Sequence, residues 1–337
     1  MKAHKILALM HADLVPPDGA HKLPAEERED YKTEFDVVTT LRKAGHEVLP
    51  IGIHDELQPL RQAVADFQPD IAFNLLEEFS GQATYDQHVV SYLEMTALPY
   101  TGCNPRGMML ARDKALGKKV LMYHRIQVPD FAVIPIGRKV KRPRSLQFPL
   151  IVKSLIEEAS LGISQASVVD SDEKLQERVT FIHERLRTDA IVEQFIAGRE
   201  VYVSVLGNRR LQVFPIWELL WSNPPEDGPL IATRQAKWNR AYQMKRGIHS
   251  AQAKELPPGV EDKLVRVSKR IYKTLGLSGY ARLDFRIGVT GEVYFLEANP
   301  NPQIAYHEDF ADSAEAAGVK YAELLERIVR IGLNPGL

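Results

Sequence analysis

The stretch GYARLDFRIG at residues 279–288, followed by EVYFLEANPNP at 292–302, decides the fold. The first run alternates apolar with polar residues, the second is rich in strand-forming residues, and glycines at 288 and 291 join them as a hairpin. Side chains on a strand point to alternate faces. Arg282, Asp284 and Arg286 therefore share one face, while Leu283 and Phe285 take the other. By the same parity Glu297 and Asn299 share a face. If the hairpin sets Asp284 opposite Glu297, two carboxylates meet inside a sheet, where like charges repel and a divalent cation is the natural neutraliser. Oxygen-only ligands favour magnesium. The plainer alternative is a salt-bridged strand pair in which Arg282 and Arg286 balance the acids.

Working outward, the neighbouring sequence is strand-rich: REVYVSVLG at 199–207 and RLQVFPIWEL at 210–219 precede a long polar excursion over 221–249. An amphipathic helix over 311–331 is expected to cover this sheet. Upstream, FPLIVKSLI at 148–156, a polar loop, a helix over 172–187 and AIVEQFI at 190–196 predict a smaller α/β unit. The first third alternates strand runs (KILALM at 5–10, HEVLPI at 46–51, DIAFNLL at 70–76) with helical patterns over 26–43 and 57–67. That order predicts a parallel sheet with crossover helices. Helices over 85–96 and 112–124 and a strand FAVIPI at 131–136 lead into a basic connector, GRKVKRPRSLQ at 137–147, expected to be exposed. The fold class is α/β, with α+β character in the C-terminal part, divided as 1–110, 111–200 and 201–337.

Composition narrows the function classes. The 337 residues are 45% hydrophobic and 26% charged, the balance of an ordinary globular chain. With 43 Lys+Arg against 44 Asp+Glu, the net charge of -1 creates no global attraction to nucleic acid or an anionic membrane. A single cysteine, Cys103, allows neither an internal disulfide nor a cysteine-based zinc site. The apolar stretch 6–10 is too short for a signal segment, and no run reaches the length of a membrane span. A cytoplasmic protein without nucleic-acid or membrane partners is expected.

Lys153 lies in the apolar run PLIVKS, where a lysine is costly unless its ammonium emerges at an anion such as phosphate. The following EEASLGIS, residues 157–164, has the small residues and glycine of a loop whose N–H groups can cover phosphate oxygens. In AIVEQFIAGRE, Glu193 and Glu200 bracket an apolar segment, as the edge of a slot for adenine and ribose would.

Taken together and in this order, the sequence resembles the ATP-grasp superfamily, and within it the D-alanine:D-alanine ligases. The likeness runs through FNLLEE, LPYTGCNP, ARDKALGKKVL, FPLIVKSLIEEASLGIS, VEQFIAGREVYVSVLGN, GYARLDFR and VYFLEANPNP. It implies an ATP-grasp fold behind an N-terminal parallel-sheet (pre-ATP-grasp) domain. It further implies that Lys114, Lys153 and Lys237 contact phosphate and that Ser160 belongs to the phosphate loop. Glu193 would accept the adenine amino group, Gln194 and Ile196 would read the base through the backbone, and Glu200 would hold the ribose. Asp284, Glu297 and Asn299 match the magnesium ligands, two ions with manganese as a substitute, and Arg282 matches the arginine that stabilises an acyl phosphate. The implied reaction joins a small carboxylate to an amine at the expense of ATP. A homodimer is implied too.

The sequence departs from the family where the amino acids would bind. The Ser-x-Glu signature after the first strand is replaced by HADLVPPDG at 11–19, the phosphate-loop serine by Ala159, and the tyrosine after Lys237 by Trp238. Gln303 stands for a glycine, Glu308 for a serine that binds the acceptor carboxylate, and Glu77 for a histidine. With Glu78 these residues predict an acidic, aromatic-edged substrate wall suited to a cationic group. D-alanine is expected to be a poor substrate. A nucleotide-binding regulatory or scaffold protein without ligase turnover is the alternative, and a kinase that keeps the phosphorylated product is a third reading.

Overall fold

The run KILALMH forms β1 (Lys5–His11), with Ile6 to Met10 fully buried. It lies between β2 (Glu47–Ile53) and β3 (Ile71–Asn74), parallel to both. A central parallel strand is covered on both faces, so it reads as an unbroken apolar run. The computed structural model describes residues 2–157, 160–225 and 228–336. The helical pattern expected from residue 26 starts as a 3-10 segment, and α1 (Lys32–Lys43) follows it. The other helices of this third are α2 (Gln58–Phe67), α3 (Asp86–Met95), α4 (Pro105–Arg112) and α5 (Lys114–Tyr123).

Two caps fix where α4 and α5 begin. The Asn104 side chain accepts from Gly107 N ahead of Pro105, and the Asp113 side chain accepts from Leu116 N. Each satisfies an N–H that has no partner within its helix. The aspartate of ARDK thus sets Lys114 as the first residue of α5.

A second sheet has the order β4-β7-β5-β6 and only antiparallel neighbours: β4 (Phe131–Ile134), β5 (Leu150–Ser154), β6 (Val168–Val169) and β7 (Ala190–Gln194). Helix α6 (Asp172–Phe181), capped by Ser171, continues as a π turn at Ile182–Leu186. The connector 137–147 is less free than its composition predicts. Arg142 pairs with Asp172 (3.0 Å) and lies 4.7 Å from the Phe148 ring, while Leu146 is buried.

The third sheet is built from β8 (Gly198–Leu206), β9 (Gln212–Val213), β10 (Trp217–Trp221), β11 (Ile248–Gln252), β12 (Tyr280–Gly288) and β13 (Val293–Pro300), in the order β11-β10-β8-β12-β13 with β9 on β8. The single strand expected over 210–219 is therefore two, β9 and β10. The polar excursion carries two short helices, α7 (Arg234–Trp238) and α8 (Arg240–Arg246), capped by Thr233 and Asn239. Between β11 and β12 runs α9 (Val260–Thr274), whose Val260, Leu264 and Ile271 pack into the core formed with Val203, Leu283 and Phe285.

The C-terminal helical pattern is broken at Gly318, in the left-handed region at φ 80, into α10 (Asp309–Ala316) and α11 (Tyr321–Leu333). Helix α10 covers the third sheet as expected, with Phe310 edge-on to Tyr280 of β12 and to Phe214, whereas α11 does not. Leu324 and Ile328 share a core with Ile6, Ala8 and Phe73, so the chain's end closes over the N-terminal sheet. No helix among the described residues is long and apolar enough to cross a membrane.

Candidate active site

The second and third sheets face each other across a cleft that opens to solvent. Ile151 and Lys153 of β5 and Glu193 and Gln194 of β7 form one wall. Glu200 of β8, Asp284 and Arg286 of β12, and Leu296 and Glu297 of β13 form the other. Phe195, Ile196, Ile231 and Ala232 add apolar surface, and Ser160 and Lys237 close the side. Apolar walls carrying a few charged and polar groups suit a nucleotide.

At its floor the hairpin register sets Asp284 directly opposite Glu297 and Arg282 opposite Asn299. A bulge follows Asp284: Phe285 pairs with Phe295, and Leu296 has no opposite residue. Bulges re-aim side chains near functional sites, and here the extra residue restores the parity that brings Glu297 and Asn299 onto the face of Asp284. On the other side of β12, Tyr202 lies opposite Asp284 and Glu200 opposite Arg286.

The lysines come from other elements. Lys114 reaches Glu297 (3.6 Å) and donates to the Glu157 carbonyl (2.6 Å). Lys153 and Lys118 hold the two oxygens of Glu193 at 2.9 and 2.6 Å, and Lys118 also donates to the Leu296 carbonyl that the bulge leaves out of the ladder. Lys118, one helical turn after Lys114, is 1% exposed, and Glu193 is completely buried. Burial alone would raise the Glu193 carboxyl, but the ammoniums of Lys118 and Lys153 outweigh it and hold it at about 2. Glu297 behaves likewise: burial is overcome by Lys114, Lys153, Lys237 and Lys118, again giving about 2.

Arg282 clamps Asp284 through Nε (2.8 Å) and Nη2 (3.1 Å), with its guanidinium 4.9 Å from the Tyr202 ring. Burial nonetheless raises the Asp284 carboxyl above its ordinary value against the pull of Arg282. The salt-bridged alternative is thus half present: Arg282 balances Asp284, but Arg286 pairs with Glu200 at 2.9 Å. Around the cleft stand six cations, Lys114, Lys118, Lys153, Lys237, Arg282 and Arg286, against four carboxylates, Glu193, Glu200, Asp284 and Glu297. The excess is positive among the described residues, as a polyphosphate requires.

Asp284, Glu297 and Asn299 fit a divalent cation. Their carboxylate and amide oxygens are hard donors, and Asn299 Nδ2 is buried without a hydrogen-bond partner among the described residues, so nothing in the fold explains its amide. No three His, Cys, Asp or Glu side chains converge there among the described residues. Such an ion would take the remainder of its oxygen shell from phosphate.

The loop expected to cover phosphate and the excursion touch: Ser160 donates to the Ala232 carbonyl (2.8 Å) and Arg234 N to the Ile163 carbonyl (3.2 Å). Ala159 lies outside the described residues. The other sequence-expected nucleotide residues, Lys153, Ser160, Glu193, Gln194, Ile196, Glu200 and Lys237, all line the cleft. Arg282, Lys114 and Asn299 join it through their partners or register.

Two acids of the expected wall carry basic partners. Glu78 sits 3.5 Å from His11 at the end of β1, and Glu308 pairs with Lys32 of α1 at 3.3 Å. Glu77 and Gln303 are exposed, as is Trp238 at 54%. Repulsion of a carboxylate by Glu308 is therefore countered by Lys32. Sequence reasoning passed over Lys118, which its four-residue spacing from Lys114 could have flagged, and Tyr202, which parity with Glu200 places on the site face.

The family described as D-ala D-ala ligase C-terminus matches residues 114–330. An uncharacterized protein of Sinorhizobium fredii, y4sG, is 30% identical over 307 residues, 88% of this chain and 85% of its own length. The D-alanine--D-alanine ligase of Syntrophotalea carbinolica is 32% identical over 309 residues, 91% of this chain and 92% of its own. The crystal structure of D-alanine--D-alanine ligase from Bacillus anthracis complexed with ATP has the same fold, with a TM-score of 0.76 at 23% identity over 99% of this chain and 98% of that one.

Proposed function

Since the chain belongs to the D-alanine--D-alanine ligase family of ATP-grasp proteins, we propose that the cleft between its second and third sheets carries the ligase reaction on residues of this chain. The protein is an ATP-dependent ligase of amino-acid-like substrates that joins a carboxylate to an amine and releases ADP and phosphate. The observation that carries the assignment of the site is the opposed pair Asp284 and Glu297 beside the unsatisfied Asn299 amide, facing an excess of buried cations.

In this reading the base lies between Ile151, Phe195 and Ile196, with Glu193 near its amino group and the backbone of Gln194 and Ile196 along its edge. Glu200 holds the ribose. Lys114, Lys153 and Lys237 hold phosphate oxygens, and the loop at Ser160 covers them. Magnesium bound by Asp284, Glu297 and Asn299 would supply charge neutralisation of the phosphates. The substrate carboxylate oxygen attacks the γ-phosphorus as the bond to ADP breaks. The amine nitrogen then attacks the acyl carbon, phosphate leaves with its electron pair, and the nitrogen loses a proton. Arg282 donates to the oxygens that gain charge in both steps.

Two magnesium ions with manganese as a substitute, a homodimer, a cytoplasmic location and the division 1–110, 111–200 and 201–337 belong to the same proposal. So does a rebuilt amino-acid pocket. The replacements Trp238, Gln303, Glu308 and Glu77 support a substrate pair other than two D-alanines. A screen of amino acids, small carboxylates and amines for ADP and phosphate release, with product mass, tests this. D-alanine alone is expected to give little turnover, and a pair containing a different acid or amine should give an amide. Efficient D-alanyl-D-alanine synthesis would overturn the rebuilt pocket. Nucleotide binding without ADP release across the whole screen would favour the regulatory alternative.

A further inference from the structure

Arg286 is the cleft residue whose role neither the sequence pattern nor the ligase chemistry supplies. It is 4% exposed and lies on β12 two residues beyond Asp284, yet it pairs with neither Asp284 nor Glu297. Nη1 donates to the carbonyls of Ile196 (3.3 Å) and Gly198 (3.2 Å). Nη2 donates to Glu200 Oε2 (2.9 Å) and to the Leu230 carbonyl (2.5 Å). One planar guanidinium therefore joins the hinge beside the base, the carboxylate assigned to the sugar and the excursion that leads to Ile231, Ala232 and Lys237. Gly198 lets this happen. Its backbone is left-handed at φ 140, and a Cβ there would collide with the Ile287 carbonyl.

The second oxygen of Glu200 accepts from the Tyr202 hydroxyl (3.1 Å), so the carboxylate is held at both ends while its side chain still lines the cleft. Burial would raise this carboxyl, and Arg286 and Lys237 hold it below its ordinary value instead. A carboxylate fixed and ionised before the ligand arrives loses little further freedom on accepting two hydroxyls. A lysine could supply the charge, but not four donors in one plane.

We infer that Arg286 is a positioning residue that presents Glu200 to the ribose hydroxyls and so makes this site discriminate ribonucleotides from deoxyribonucleotides. The inference rests on the nucleotide reading of the cleft. Binding of ATP and of 2′,3′-dideoxy-ATP, each with magnesium, is measured by calorimetry for wild type, Arg286→Lys, Arg286→Met and Glu200→Gln, with thermal unfolding as the check on folding. Wild type is expected to prefer ATP by ~10-fold or more, the scale of hydrogen bonds to a charged group. The preference should collapse in Glu200→Gln and Arg286→Met and fall several-fold in Arg286→Lys. Combining Arg286→Lys with Glu200→Gln should add nothing further to the loss of preference.

If wild type binds neither nucleotide, the reading of the cleft fails. If wild type binds both equally, that reading stands and the inference is overturned. Equal weakening of both nucleotides in the Arg286 variants, with the preference intact, makes the arginine structural and also overturns it. Should Arg286→Met not fold, Arg286→Lys decides alone: an undiminished preference in it is contradictory.

Discussion

Asp284 on β12 and Glu297 on β13 lie directly opposite each other, with Leu296 bulged out of the ladder beside them. Like charges facing across a ladder destabilise it, so the arrangement needs cations around it. The protein supplies them unevenly: Arg282 grips Asp284, and Glu297 sees Lys114. That asymmetry leaves Glu297 strongly ionised while burial raises Asp284. A hard divalent ion between the two would complete the compensation.

Asp284→Asn and Glu297→Gln are expected to abolish magnesium-dependent ATP turnover while the circular dichroism spectrum stays native. Each change removes an anionic oxygen ligand and keeps the side chain's shape. Turnover at the wild-type level in both variants would move the metal site elsewhere.

Arg282→Lys keeps one charge but loses the planar fork that spans two oxygens. Turnover is expected to fall at least ~100-fold, the scale of removing one transition-state donor. Affinity for ATP should change little, because the loss falls on the acyl transfer. An equal rise in KM with kcat preserved would place Arg282 in nucleotide binding instead.

Much of this site was readable because strand parity is a strict rule. Parity puts Arg282, Asp284 and Arg286 on one face of their strand and Glu297 with Asn299 on one face of theirs, but that the two sets meet depends on the bulge at Leu296, which the sequence does not display. The excursion was less readable. Its helices α7 and α8 span five and seven residues, too short to display a period, and they depend on the caps Thr233 and Asn239. The sequence reading left out helix α9, although Val260, Leu264, Val267 and Ile271 recur at helical spacing. Burial of α11 on the N-terminal sheet was not readable, since an amphipathic face does not say which surface it meets. The partners of the acidic residues were hidden for a similar reason: Lys32 and Glu308 lie 276 positions apart.

Lys118→Met leaves Glu193 with one ammonium and strands the Leu296 carbonyl. Removing one member of a buried charge set costs about 3–5 kcal/mol, so chemical denaturation should show a loss of that order. Adding Glu193→Gln should recover part of it, because the carboxylate left short of charge is then neutral. A single variant as stable as wild type would mean that the Lys118–Glu193 contact at 2.6 Å carries no net stability.

Glu34 gives a pH signature. It is buried on α1, and burial, with the charge of Glu77 adding, raises its carboxyl to about 7 from an ordinary 4.5. Between those values the folded protein binds more protons than the unfolded chain, so this group's contribution to stability falls as pH rises and levels off above the folded value. Glu34→Gln is expected to remove that fall and to exceed wild type by about 1–3 kcal/mol near pH ~8. Thermal unfolding across the window checks it, and an unchanged slope would clear Glu34 of the effect.

The central claim is that amide formation runs through an acyl phosphate held at Arg282 and the Asp284–Glu297 pair. It is tested most directly by supplying the carboxylate substrate found in the screen with its oxygens labelled as oxygen-18 and weighing the phosphate released. Attack of that carboxylate on the γ-phosphorus predicts one labelled oxygen in phosphate for each amide formed, with the label lost together with turnover in Arg282→Lys. Phosphate free of label, while amide still forms, would contradict the account.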